Sequence, residues 1–131
     1  MKLLEKVKSR SAKIGVVGLG YVGLPLAVLQ AKTGFSVIGI DAVAEKVALV
    51  NQAKNYIGDV LDSDLQEVIE KKKLVATTDF SALHECDVIL ICVPTPLTKN
   101  KEPDITAIVK VTEHLANYAH PEMLVVLEST T

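Results

Sequence analysis

The chain has 131 residues, 49% of them hydrophobic and 23% charged, which suits one globular domain with its own core and excludes a disordered, collagen-like or low-complexity polypeptide. Aromatic residues make up 4%, with no Trp, and the formal charge is -2, so neither a base-stacking platform nor a basic footprint for nucleic acid is available. Two cysteines, Cys86 and Cys92, make no disulfide framework and have no zinc spacing, and the expected compartment is the reducing cytoplasm.

The small net charge hides a division. Residues 1–13 carry five Lys/Arg and one Glu, whereas the other 118 carry nine Lys/Arg and fifteen Asp/Glu, a split of +4 and -6. Residues 1–12 read as a solvated basic arm in which Leu3, Leu4 and Val7, set among Lys2, Lys6, Lys8 and Arg10, allow one or two amphipathic turns. The uncharged run Ile14 to Ala31 follows, but four glycines and Pro25 inside it suit a strand, a turn and a helix better than a membrane span or a signal peptide.

Lys13 to Val17 is a short apolar run, and Val22 to Lys32 reads as a helix stopped by Gly34. Phe35 to Ile40 returns to a β-branched pattern ending at Asp41, after which Val43, Val47 and Val50 recur at helical spacing. Asn55 to Asp59 breaks the pattern. Leu61 to Lys72 places Leu65, Val68 and Ile69 on one helical face, and Leu74 to Thr77 is a third strand. Asp79 to Glu85 suggests a brief helical turn with a boundary thiol at Cys86, and Asp87 to Val93 is apolar enough for a central strand buried on both faces. Pro94, Pro96 and Pro103 keep the next stretch irregular, Ile105 to Ala119 is helical, and Met123 to Leu127 is a fifth strand. This alternation predicts an α/β, doubly wound parallel sheet of the Rossmann type over residues 13–131. The expected strand order would place a sixth strand beside the fifth, so the fold reads as truncated there. An uncapped fifth strand predicts edge pairing and a homo-oligomer.

Gly18-Leu19-Gly20-Tyr21-Val22-Gly23 is a G-x-G-x-x-G run placed between predicted strand and helix, where a dinucleotide-binding loop belongs. Gly18 permits the tight turn, Gly20 lets backbone approach a pyrophosphate, and Gly23 allows close packing; the helix N-terminus supplies amide donors and a positive dipole end. Asp41, eighteen residues on, can accept hydrogen bonds from both hydroxyls of an adenosine ribose and repels a 2′-phosphate, favouring NAD over NADP. It can also cap a helix beginning near Ala42. Lys46, one turn into that helix, reaches either the adenosine side or solvent. Val93, Pro94 and Thr95 end the fourth strand on the same sheet edge, as Ser129 and Thr130 end the fifth. His84, His114 and His120 lack metal-ligand spacing, and no metal is expected.

These segments together resemble the UDP-glucose/GDP-mannose dehydrogenases. The resemblance is carried by Lys13 to Ala27, Cys92-Val93-Pro94-Thr95-Pro96-Leu97, Glu102-Pro103-Asp104 and Leu127-Glu128-Ser129-Thr130-Thr131. They look most like the branch acting on UDP-N-acetylglucosamine or UDP-N-acetylmannosamine. The resemblance implies oxidation of the C6 alcohol of a UDP-sugar to a carboxylate with two NAD and a thioester-forming cysteine. It further implies that Gly18 to Gly23 bind the pyrophosphate, Asp41 and Lys46 the adenosine end, and Val93 to Thr95 line the cofactor. Ser129 and Thr130 match the family's S-T pair, whose Thr helps position catalytic water, and Asn55-Tyr56-Ile57 matches the loop after the second helix, usually begun by Ser.

The family's catalytic Cys and its nucleotide-sugar domain have no counterpart in residues 1–131. The chain therefore reads as the NAD-binding domain of a longer cytoplasmic enzyme, inactive alone, that meets a UDP-sugar only in the full-length protein; no nucleic acid or membrane partner is expected. A stand-alone NAD-sensing module is the alternative.

Overall fold

A computed structural model describes residues 2–93, 99–102 and 105–128. Five strands form one parallel sheet in the order β3-β2-β1-β4-β5: β1 Lys13–Val17, β2 Ser36–Ile40, β3 Leu74–Thr77, β4 Val88–Ile91 and β5 Leu124–Leu127. The helices are α1 Leu3–Lys8, α2 Gly23–Thr33, α3 Ala44–Asn51, α4 Asp62–Glu70 and α5 Thr106–Tyr118, with a 3-10 helix over Phe80–Glu85. The doubly wound α/β expectation thus holds.

Alternation along the strands divides the core into two layers. Ile14, Val16 and Val37 face one side, against Leu24, Ala27 and Val28 of α2 and Leu65 and Val68 of α4. Val17, Ile40, Ile89 and Ile91 face the other, against Leu83, Val111 and Leu115. Side chains as deeply buried as Leu24, Leu65 and Leu83 contribute about 1.5–3 kcal/mol each. The strand β4 departs from its expectation: Ile89 and Ile91 are buried, but Val88 and Leu90 only partly so. Helix α2 packs over β1 and β2, leaving that side of β4 less covered. The edge strand β5 is open, with Leu124, Val125 and Leu127 all exposed.

Cys86 corrects another expectation. It is fully buried, not at the boundary, because the end of the 3-10 helix turns it under the sheet toward Gly15, where a Cβ would lie 2.8 Å from its Sγ. The absence of a side chain at Gly15 makes room for the thiol.

The basic arm is not wholly solvated. Helix α1 buries no residue, yet Lys6 Nζ reaches Asp87 Oδ1 at 3.1 Å, while Asp87 Oδ2 accepts the Lys13 N–H at 2.8 Å. Burial alone would raise the Asp87 pKa, but the bonds from Lys13 and Lys6 and the positive charges of Lys6 and His120 outweigh it and hold the carboxyl below the usual carboxylate range. With an unfolded value of about 3.9, the stability Asp87 contributes is complete above that pH and is lost as pH falls through the lower folded value. Asp87→Asn is therefore expected to flatten the acid-side fall of Tm. Thermal melts through the acid range check this, and parallel curves for the two proteins would refute the assignment.

Register positions the functional edge. Val17 pairs with both Ile40 and Ile91, so β1, β2 and β4 end at one level. The ladder continues one step further: Gly18 N–H donates to the Ile40 carbonyl and Cys92 N–H to that of Val17, each at 2.7 Å. Gly18, Asp41 and Cys92 are thereby set side by side at the carboxyl edge, where β1 and β4 send their connections to opposite faces, the switch point at which open α/β sheets bind ligands.

Candidate dinucleotide site

The three glycines do different work. Gly18 has φ +94°, the left-handed region, and a Cβ there would stand 2.8 Å from the Cys92 carbonyl oxygen. At Gly23 a Cβ would lie 1.6 Å from the Gly18 carbonyl oxygen and 3.2 Å from Cys92 Cβ. Local geometry thus excludes side chains at both. Gly20 differs, since a Cβ would meet nothing within 4 Å. The loop itself does not require glycine there; the space in front of it is open. The first amide to return a bond into α2 is that of Leu24, to the Gly20 carbonyl at 3.2 Å. The amides at 21–23 therefore precede the first helical hydrogen bond, at the positive end of the helix dipole.

Leu19 buries its side chain completely in the core, while both sides of its backbone are held. Its N–H donates to Asp41 Oδ2 at 2.9 Å, and its carbonyl accepts from the Tyr56 hydroxyl at 2.6 Å. Asp41 is 9% exposed, the one buried polar or charged side chain among the described residues. Its Oδ1 accepts the Val43 N–H at 2.8 Å. Each carboxylate oxygen thus has one backbone donor and retains a lone pair. Asp41 secures the turn before α3, which begins at Ala44 with Val43 at its cap, so the helix expected to begin near Ala42 starts two residues later and Asp41 is not its cap.

The loop that contributes Tyr56 is pinned by Asn55. Its Nδ2 donates to the Val60 carbonyl at 2.6 Å and to Asp62 Oδ1 at 3.0 Å, and its Oδ1 accepts the Ile57 N–H at 2.9 Å. Burial first, then the charge of Asp41, push the Tyr56 hydroxyl up to about 12, so it remains a donor at neutral pH.

Two cavities meet at Asp41 and Lys46. One, of about 380 Å³, is lined by the glycine loop with Tyr56, Ile57 and Cys92. The other, of about 280 Å³, has Val43, Val93, Phe80, Lys110 and His114 among its walls. There Phe80 and His114 stack at 4.3 Å between ring centroids. A larger space of about 660 Å³ lies elsewhere, beside β2 and β3, with Lys13, Lys72 and Lys73 on its rim. It touches none of the glycine loop.

Of the residues expected to bind the cofactor, Gly18, Leu19, Gly20, Tyr21, Val22, Asp41, Lys46 and Val93 line these two cavities, and Gly23 packs beneath the loop. Tyr21 is 84% exposed and Lys46 half-buried. Pro94, Thr95, Ser129 and Thr130 lie outside the described residues. The sequence assigns no cofactor role to Tyr56, Ile57, Phe80, Lys110 or His114, although Asn55-Tyr56-Ile57 matches a family loop and His114 is set aside there as a metal ligand. Tyr56 and Ile57 fall in a patternless break, and the others carry no motif, although Lys110 and His114 at i and i+4 share one helical face.

Both thiols are poor nucleophiles. Burial pushes Cys86 up to about 12 and Cys92 up to about 11, Glu128 adding to the latter. Cys92 is a small buried hydrophobe and also part of the cavity wall. The described residues hold no group of three or more His, Cys, Asp or Glu able to bind a metal, and no helix among them is long and apolar enough to cross a membrane.

The profile of the UDP-glucose/GDP-mannose dehydrogenase family, NAD binding domain, matches residues 12–131. A UDP-N-acetyl-D-glucosamine 6-dehydrogenase of Pseudomonas aeruginosa is 37% identical over 121 residues, covering 92% of this chain and 28% of its own. Among solved structures, a GDP-mannose dehydrogenase of the same organism superposes with a TM-score of 0.83 at 35% identity, covering 90% of this chain and 28% of its own. UDP-D-ManNAc dehydrogenase of Pyrococcus horikoshii gives a TM-score of 0.84 at 34% identity, with the same coverages. The chain spans a little over a quarter of the length of these relatives.

Proposed function

The chain belongs to the UDP-glucose/GDP-mannose dehydrogenase family, of which it is an NAD-binding domain, and we propose that it serves a longer nucleotide-sugar 6-dehydrogenase that oxidises the C6 alcohol of a UDP-N-acetylhexosamine or UDP-glucose to the uronate. The observation that carries this reading is the open space before Gly20, flanked by two steric glycines and by a carboxylate with a lone pair left on each oxygen. Such a cradle fits a dinucleotide.

In this reading the loop Gly18 to Gly23 holds the pyrophosphate through backbone amides, so an acidic domain needs no lysine cluster for an anionic ligand. Asp41 takes the adenosine ribose hydroxyls and disfavours NADP, and Lys46 stands beside it. The cavity with Phe80, Val93 and His114 receives the adenine. By their match to the family's motifs, Pro94 and Thr95 are assigned to the cofactor and Ser129 and Thr130 to the S-T pair, Thr130 helping to place water. NAD, when bound, supplies the hydride acceptor. We place the enzyme in the cytoplasm, as a homo-oligomer, making sugar acids for polysaccharide synthesis.

The thioester-forming Cys and the sugar-binding domain belong to the remainder of the family's length, so this chain alone is expected to show no UDP-sugar-dependent rise in absorbance from NADH. Assays with UDP-N-acetylglucosamine, UDP-N-acetylmannosamine and UDP-glucose check this. NADH formed by the 131-residue chain would overturn the division of labour.

A further inference from the structure

We propose that Tyr56 is a positioning residue for dinucleotide binding, its hydroxyl locking the Leu19–Gly20 peptide in the orientation that accepts an anion. The inference rests on the glycine loop being the pyrophosphate site.

Two successive peptides of the loop are fixed by two different side chains. The Gly18–Leu19 peptide is held through the Leu19 N–H on Asp41 Oδ2 at 2.9 Å, and the Leu19–Gly20 peptide through its carbonyl on the Tyr56 hydroxyl at 2.6 Å. In a planar trans peptide the carbonyl and the following N–H point in opposite directions. With the Leu19 carbonyl tied to Tyr56, the Gly20 N–H must face away from it, free to donate. Helix α2 offers no substitute for this restraint, since the first carbonyl it uses is that of Gly20, one residue later. Glycine at 20 makes rotation of this peptide cheap, and nothing within 4 Å of the position of its Cβ obstructs it. A flip would exchange N–H for C=O and present an oxygen where an anion must approach. Tyr56 also reaches the loop from a segment that Asn55 pins at three points, so its hydroxyl has a fixed origin.

The experiment compares affinities of wild type and Tyr56→Phe for NAD, for ADP-ribose and for adenosine, by calorimetry and amide-shift titration. One hydrogen bond to the backbone is a net contribution of about 0.5–1.5 kcal/mol, which corresponds to a loss of about two- to tenfold. NAD and ADP-ribose are expected to weaken by that factor and adenosine to be unchanged, because only the first two carry a pyrophosphate. Equal NAD affinity for both proteins, or an equal loss for all three ligands, overturns the inference. Failure of wild type to bind NAD overturns the proposed site instead. Should the Phe variant not fold, Asn55→Ala releases the same segment without altering the ring. Selective loss of the pyrophosphate ligands supports the role, and no loss or a uniform loss refutes it.

Discussion

Gly23→Ala should unmake the site more thoroughly than any other single methyl group added to this chain. The new Cβ would fall 1.6 Å from the Gly18 carbonyl oxygen and 2.8 Å from its carbon, and both are backbone atoms that no rotamer change can move aside. Relief requires α2 to back away from β1 or the Gly18 turn to open. The first separates Leu24 and Ala27 from the layer they fill with Ile14 and Val16; the second breaks the turn that a φ of +94° makes possible. Overpacking of this kind costs about 1–3 kcal/mol or more, a fall in Tm of roughly 10 °C for a domain of this size. NAD binding should be lost with it. Melting of Gly23→Ala beside Gly20→Ala separates fold from ligand: Gly20→Ala has room for its methyl and should keep the wild-type Tm while losing affinity. Equal destabilisation by the two would contradict the distinction drawn between these glycines.

Asp41→Ala is expected to act on stability and on binding together. It removes the acceptor of two backbone amides, of which that of Leu19 is buried. A buried donor left without a partner costs about 1–3 kcal/mol, while the exposed position of Val43 lets water replace the second bond. Losing the carboxylate also removes both acceptors assigned to the ribose. Hydrogen bonds to a charged group contribute about 1.5–3 kcal/mol, so NAD affinity should drop at least about tenfold, and the preference for NAD over NADP should narrow as the repulsion of a 2′-phosphate disappears. Calorimetric titration of both dinucleotides into wild type and variant measures this. An unchanged ratio of the two affinities would remove Asp41 from the cofactor's contacts.

Much of this was legible from residue order because each feature has a local cause. Strand β1 is an apolar run stopped by glycines, α2 ends at Gly34, and the break at 55–59 separates two helices. Alternation of strands and helices pointed to a parallel, doubly wound sheet, since right-handed crossovers allow few topologies. Less legible were features fixed by contacts distant in sequence. Cys86 has a charged and polar neighbourhood in sequence, and only the approach of Gly15 explains its burial. The tie between Lys6 and Asp87 joins positions 81 residues apart, so composition alone described the arm as solvated. Tyr56 lies 37 residues from the carbonyl it holds, in a segment without periodicity. The second cavity adds Phe80 of the 3-10 helix and Lys110 and His114 of α5 to Gly18, Asp41 and Lys46, and these added side chains carry no motif. What motif reading finds is backbone shape, and what it misses is the side chains that hold this shape.

The measurement that bears most directly on this account is titration of NAD, and in parallel NADP, into the wild-type chain, followed by calorimetry and by the shift in Tm. A dinucleotide site built on the glycine loop and Asp41 predicts saturable NAD binding with a Tm that rises with its concentration, since a ligand specific for the folded state stabilises it in proportion to RT ln(1 + [L]/Kd), and a clearly weaker response to NADP. No shift with NAD at millimolar concentration, or equal affinity for both dinucleotides, would contradict it.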